Sequence, residues 1–272
     1  MTNTQSVFLG EKPYGVSPSR VNQIETCPRQ YQYTTIERLP EVKKMATYRG
    51  TVFHAILEEL FLRTTETPQE RTPELTMEIM REMLPDLLSP EICAEMELDD
   101  KGRQSLVADL AKYIRTYFTM ESPAEITSEG IEIKMDVDMG GYTLRGILDR
   151  LDRDPDGSLV IVDYKTGKVP QDKYKASATL PAKIYAYLCE KHLGERPTKI
   201  RLLYVQFGKT LTIDVTDADV IYAEKRVREA WGKIENWFEQ GYFPPIKNNL
   251  CDKWCSFKNI CPLFSQDDEY PF

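Results

Sequence analysis

The stretch that most limits what this chain can fold into runs from Gly146 to Lys168, GILDRLDRDPDGSLVIVDYKTGK. Asp154-Pro155-Asp156-Gly157 is a turn sequence, because proline presets φ at the second position and Asp and Gly suit the positions after it. The turn predicts a β-hairpin with residues 145–153 as one arm and 159–165 as the other. Centred on Asp156, it sets Asp149 opposite Asp163, and Lys165 falls on the same face two residues further on. Two carboxylates side by side repel, and such a pair is destabilising in a strand ladder unless positive charge lies between them. A divalent cation reverses the sign, and oxygen donors of this kind suit Mg²⁺ or Mn²⁺. A lysine beside such an ion can hold a water or a phosphoryl oxygen. Leu159-Val160-Ile161-Val162 reads as a buried strand, and charge at the end of a buried strand is a usual place for a site.

The preceding segment adds a third acid. Ile131, Ile133, Met135 and Val137 alternate with Glu132, Lys134, Asp136 and Asp138, which is the pattern of a half-buried strand. Gly140-Gly141 is a two-residue hairpin turn. Its register places Glu132 opposite Asp149, so Glu132, Asp149 and Asp163 form a row across three antiparallel strands. A slip of one residue would send a side chain to the other face.

Composition narrows the class. The chain has 272 residues, 41% hydrophobic and 29% charged, as in a globular protein with one large or two small domains. No apolar run reaches the ~18 residues of a membrane span, so no membrane partner is expected. The opening MTNTQSVFLGEKPYG lacks a basic region followed by an apolar core; no signal peptide is expected and the cytoplasm is the default location. A net charge of −8 argues against a protein that coats nucleic acid by charge alone. It leaves room for an acidic metal site with local basic contacts, such as Lys165, Lys168, Lys173 and Lys175.

Taken in order, Ser17-Pro18 opens a helix that should break near Pro28, with Val21, Ile24 and Tyr31 facing inward. Residues 48–63 form an amphipathic helix through Val52, Ile56, Leu57 and Leu60, and carry His54, one of only two histidines. A lone helical histidine is more often a hydrogen-bonded structural residue than a ligand. Residues 64–73 read as a polar linker, and 74–121 as two or three helices broken near Pro85, Pro90 and Asp99-Asp100. In the last of these, Tyr113 or Tyr117 could stack bases if exposed. A helix over 172–193 carries Lys175, Lys183, Tyr185 and Tyr187. Strands at 198–207 and 209–215 and a helix at 217–240 follow.

Six cysteines are present, and clustered cysteines in a cytosolic chain suggest a metal or cofactor. Cys251, Cys255 and Cys261 lie within eleven residues and need a fourth ligand. Zinc held by four thiolates and a 4Fe–4S cluster both remain open on spacing alone. Cys93 and Cys189 read as plain buried thiols.

Gly146-Ile147-Leu148-Asp149 followed by Val162-Asp163-Tyr164-Lys165-Thr166-Gly167-Lys168 resembles the RecB-like branch of the PD-(D/E)XK nuclease superfamily. The stretch SPSRVNQIETCPRQYQY also resembles the N-terminal cysteine motif of its iron–sulfur members, and Gly50 to His54 matches its Gly-then-His helix. The resemblance spans residues 17–262. It implies an α/β, restriction-endonuclease-like mixed sheet flanked by helices, with a helical insertion and an iron–sulfur clasp joining the two ends of the chain. The implied division is an N-terminal segment with a cluster cysteine (1–47), a helical region with the histidine helix (48–125), a nuclease core (126–245) and a C-terminal iron–sulfur segment (246–272).

The resemblance also implies roles. Mg²⁺ or Mn²⁺ would be held by His54, Asp149, Asp163 and the backbone carbonyl of Tyr164, with Lys165 serving the attacking water and Glu132 holding water or a second metal. Tyr185 matches the family tyrosine, whereas the glutamine expected four positions earlier is Pro181. RecB-like nucleases of the AddB, CRISPR-associated and eukaryotic exonuclease types carry one cysteine before the core and three after it, which implies a 4Fe–4S cluster on Cys27, Cys251, Cys255 and Cys261. The first gap of the trio holds three residues where many relatives have two. The implied activity is a metal-dependent DNA exonuclease acting on single strands or duplex ends, with a helicase or CRISPR adaptation proteins as partners. A non-catalytic DNA-end-binding adaptor that kept the fold is the other reading.

Overall fold

The computed structural model describes residues 11–264. The first ten residues, on which most of the signal-peptide reading rests, and the last eight lie outside the described residues. The elements run β1 (Gly15–Val16), α1 (Pro18–Thr26), α2 (Pro28–Tyr31), a π-helical turn (Gln32–Ile36), α3 (Met45–Arg63), α4 (Pro73–Leu87), α5 (Pro90–Glu95), α6 (Asp100–Met120), β2 (Ser128–Asp138), β3 (Thr143–Arg153), β4 (Leu159–Lys165), α7 (Asp172–Leu193), β5 (Lys199–Tyr204), β6 (Lys209–Asp214) and α8 (Asp217–Glu239). The six strands make one mixed sheet, ordered β1-β3-β4-β5-β6 with β2 on β3.

Local chemistry accounts for the central meander. Gly140 and Gly141 have φ of 83° and 102°, and Met139 N–H closes the turn on the Tyr142 carbonyl at 2.8 Å. Gly157 has φ 84° and donates to the Asp154 carbonyl at 2.8 Å. Both hairpins take the expected register: Ile133 pairs with Leu148, and Arg150 with Val162. Strand β4 is buried on both faces, as its unbroken apolar run requires, and pairs in parallel with β5 beyond the α7 crossover.

Two cores sandwich the sheet. One face packs on α1, α7 and α8 through residues such as Val21, Leu144, Leu148, Leu151, Ile161, Ile184 and Trp231. The other packs on α3, α4 and α6 through Val52, Ile56, Leu60, Tyr113, Val160, Val162 and Tyr164. Thr216 and Asp219 form a reciprocal capping box that starts α8, and Ser17 caps α1.

Several local expectations change. Pro85 does not break its helix; it lies near the C-terminal end of α4, and the breaks fall at Pro90 and before Asp100. The segment after α3 is no free linker, because Arg71 is buried over Phe61 and donates to the Thr64 hydroxyl and the Ile126 carbonyl. Tyr113 and Tyr117 are buried in the helical core, so neither is placed to stack a base. On α7, Lys183 pairs with Asp219 at 2.7 Å and Tyr187 is buried, which makes both structural.

Behind the sheet lies a fully buried arginine. Arg150 donates to both carboxylate oxygens of Asp152 (2.9 Å each), to both of Glu121 (2.9 Å each), and to the hydroxyls of Tyr117 (3.0 Å) and Tyr164 (2.6 Å). Every donor is satisfied, and the network fastens the end of α6 to β3 and β4. Removing one partner from a buried charge set leaves the others uncompensated. Arg150→Met is therefore expected to destabilise the fold by about 3–5 kcal/mol, read as a fall in the urea midpoint at unchanged slope.

Candidate active site

The candidate site forms where the β3–β4 ladder ends. The last ladder pair is Arg150–Val162, and one step beyond it the Asp149 carboxylate takes the place of a backbone acceptor: Tyr164 N–H donates to Asp149 Oδ2 at 3.0 Å. Asp163 shares its face with the buried Leu159 and Ile161, and Lys165 follows two residues on with Nζ 2.6 Å from Asp163 Oδ2. That oxygen is buried and, among the described residues, accepts no hydrogen bond of good geometry. The Lys165 ammonium is its one close charged contact.

Helix α3 brings His54 to the same place. Its Nε2–H donates to the Tyr164 carbonyl at 2.8 Å, and Nδ1 lies 3.3 Å from Asp149 Oδ2. Gly50, one turn earlier, is where α3 crosses the exit of β4; a Cβ there would lie 2.9 Å from Thr166 Oγ1. The Gly-to-His spacing thus permits the approach that delivers the imidazole. Tyr185 reaches in from α7 over Gly146, whose missing side chain leaves room for the ring; an added Cβ would meet Tyr185 Cε1 at 2.6 Å.

Glu132 occupies a special backbone position. It has φ 48°, a left-handed conformation that costs a non-glycine residue roughly 1–2 kcal/mol. The Glu132–Asp149 pair is skipped in the β2–β3 ladder, whose register also shifts between Ser128 and Gly130. On either side of it the strand changes face: Ile131 packs with the α3–α6 core and Ile133 with the α7 core. Strand β3 slips opposite, since Leu148 and Leu151 reach the same core three residues apart. The register expected from the two turns is right, but strict alternation fails at the site itself. Such local irregularity concentrates where side chains must be re-aimed.

The electrostatics follow from crowding. Burial pushes Asp163 up and the neighbouring Asp149 adds to this, against the Lys165 charge. Asp149 is also buried, but the hydrogen bond and charge of His54, the Tyr164 N–H and Lys165 outweigh that and hold it low. Burial lowers His54, yet Asp149 and Asp163 more than offset it and hold its pKa above the ordinary histidine value. Lys165 is raised, because Asp163 and Asp149 outweigh its burial; at neutral pH it is an ammonium. Burial, Asp149 and Asp163 push the Tyr185 hydroxyl up, which places it in the field of both carboxylates. Glu132 is pushed up to about 7 by burial and by Asp149 and Glu58.

Glu58 is a residue that sequence reasoning missed. It follows His54 by one helical turn and lines the same cleft with Glu132 and Asp149; the His-to-Glu spacing of four was the available signal. The donor types around the cleft, carboxylates, an imidazole and a carbonyl, are those of a hard divalent cation. Among the described residues, no group of three or more His, Cys, Asp or Glu side chains is drawn together closely enough to hold an ion as it stands. The Lys165 ammonium and the His54 ring face the carboxylates instead.

At the other proposed centre, Cys27, Cys251, Cys255 and Cys261, from the two ends of the chain, share one neighbourhood but, like the carboxylates, are not drawn together closely enough to hold an ion as they stand. Cys255 and Cys261 each lie in the electrostatic reach of Cys27 and Cys251. Asn248 N–H donates to Cys251 Sγ at 3.4 Å, and the backbone at Phe257 and Leu263 serves the Cys255 and Cys261 sulfurs. Tyr33 donates to the Ile260 carbonyl and Asn248 to that of Thr26, tying the segments together. Cys93 and Cys189 are buried apart from this group.

Glu132 offers a direct check on these electrostatics. Its raised value means that the folded state binds its proton more tightly than the unfolded chain. Stability is thus gained at low pH and lost as pH rises from the ordinary glutamate range through about 7. In chelator, Glu132→Gln is expected to raise Tm at pH 8 and to leave it nearly unchanged at pH 5, measured by thermal melts at both values.

Comparison with known proteins places this geometry. The chain is 22% identical over 276 residues to the Gene 69 protein of Mycobacterium phage D29, covering 91% of this chain and 96% of that one. It is 26% identical over 151 residues to an ATP-dependent helicase/deoxyribonuclease subunit of Streptococcus mutans, covering 55% of this chain and 13% of that longer protein. A crystal structure from Eubacterium rectale, assigned as an exonuclease, superposes with a TM-score of 0.51 at 14% identity, covering 93% of this chain and 91% of that one, and shares the fold. The family model of the PD-(D/E)XK nuclease superfamily matches residues 15–262, nearly the whole of the described chain and all of the sheet, so this protein belongs to that superfamily.

Proposed function

We propose that the protein is a metal-dependent DNA nuclease, an exonuclease on single strands or duplex ends. The observation that carries the reading is the meeting of Asp149, Asp163 and Lys165 with His54 around the Tyr164 peptide, at the fork of a nuclease-family sheet. Asp149, Asp163, His54 and the Tyr164 carbonyl would hold Mg²⁺ or Mn²⁺, and Glu132 with Glu58 would complete the acidic wall. Bound there, the ion supplies Lewis acidity toward the scissile phosphate and acidifies a water.

The remaining work falls to the chain's own groups. Lys165, held as an ammonium by Asp163, orients the attacking water and stabilises negative charge developing on the phosphoryl oxygens. His54 would ligate only through an unprotonated ring nitrogen, so any proton at that nitrogen is released on binding. Tyr185 limits water access and positions the substrate beside the carboxylates. The exposed Lys168, Lys173, Tyr174 and Lys175 follow the exit of β4 and provide local contacts for a phosphate backbone. They suit an acidic chain whose DNA contacts must be confined to the site.

The four cysteines support a structural 4Fe–4S cluster or its zinc equivalent, clasping the segment around α2 to the C-terminal segment. The likeness to a helicase/deoxyribonuclease component and to a phage protein favours a helicase partner and a role in DNA repair, recombination or phage DNA processing.

Two experiments test this. Asp163→Ala and Lys165→Ala are each expected to lower Mn²⁺-dependent degradation of end-labelled single strands by at least about 10²-fold, with an unchanged far-UV spectrum; full activity in either would sink the proposed site. Cys251→Ser is expected to lose the bound metal and to lower Tm, with metal content measured by elemental analysis and sulfide assay.

A further inference from the structure

Beside the cysteine group lies a charge that has no counter-ion among the described residues. Arg29 follows Cys27 by two residues in α2 and is only 8% exposed. Its guanidinium lies over the rings of Tyr242 at 4.9 Å and Tyr33 at 5.8 Å. One Nη1–H donates to Gln32 Oε1 at 3.0 Å, a neutral acceptor. Nε is buried with no acceptor, and among the described residues no carboxylate pairs with this arginine. Arg150 and Arg71 show how the same fold treats its other buried guanidiniums: the first has two carboxylates, the second four neutral oxygens.

A buried cation left in this way is costly unless an anion comes within reach. The surroundings name the candidate. Tyr33, under the guanidinium, bonds the Ile260 carbonyl next to Cys261. Four thiolates around zinc or an iron–sulfur cluster carry net negative charge and sulfur acceptors. Neutral thiols would carry neither.

We infer that Arg29 is the counter-ion of the metal-loaded cysteine group. The inference rests on the metal-binding reading of the four cysteines and adds a role outside the ligand set. Arg29 is a positioning and charge-balancing residue. It makes the loaded clasp more stable than the ligands alone would, and it makes the emptied clasp less stable, because the guanidinium is then buried alone.

The test compares wild type, Arg29→Met and Arg29→Lys as full chains purified without air. Metal and sulfide content, release of metal to a chelator, and Tm before and after stripping are measured. Arg29→Met is expected to release metal roughly tenfold faster than wild type. It should lower the Tm of the loaded protein and leave equal or raise the Tm of the stripped protein, which loss of ring packing alone would not do. Arg29→Lys, which keeps the charge, should retain most of the metal. Equal release rates for wild type and Arg29→Met, or the same drop in Tm with and without metal, would overturn the role of Arg29 while leaving the clasp intact. If Arg29→Met does not accumulate, Arg29→Lys decides: retained metal supports the inference, and loss of metal overturns it. Wild type free of both metal and sulfide would overturn the clasp reading and this inference together.

Discussion

Two carboxylates held side by side at the end of a buried strand pair are the constraint to which the rest of this fold answers. Asp149 and Asp163 cannot share that place unless positive charge and hydrogen-bond donors come with them. The chain supplies these from three directions. Lys165 comes from the same strand, the Tyr164 N–H from the backbone between them, and His54 from a helix over a hundred residues earlier. The arrangement sets a demand for positive charge, towards which the Lys165 ammonium and the His54 ring are turned.

Tyr164 is the hinge of that arrangement. Its N–H binds Asp149, its carbonyl binds His54, and its hydroxyl accepts from the buried Arg150. Its ring packs edge-on against Phe53 and Tyr117 in the helical core. The helices inserted between α3 and the sheet therefore serve the site from behind. They do not cap it with exposed aromatics; they hold the peptide against which the proposed metal donors are arranged.

The ends of the chain are tied together by the same logic at a second centre. Segments separated by more than two hundred residues are joined near the cysteines by short polar contacts, and closing so long a loop removes much of the freedom of the unfolded chain.

How much of this could be read from the chain itself depends on range. The turns at Gly140-Gly141 and Asp154–Gly157 carry their own conformational preferences, so the register that brings Asp149 to Asp163 was legible residue by residue. So were the helix that carries His54 and the crossover helix from Asp172, whose apolar spacing is local. Tertiary structure alone decided the rest. The left-handed turn of the strand at Glu132 comes from two cores competing for Ile131 and Ile133, and no pattern of alternation announces it. Arg150, Glu121 and Tyr117 look like surface charge and helix stripe until a helix end docks on the sheet. Glu58 and Arg29 are ordinary helical residues by sequence. What sets them apart is placement, Glu58 on the cleft with Glu132 and Asp149 and Arg29 buried without a carboxylate partner among the described residues, and placement is a property of the packed molecule, absent from any one stretch of chain.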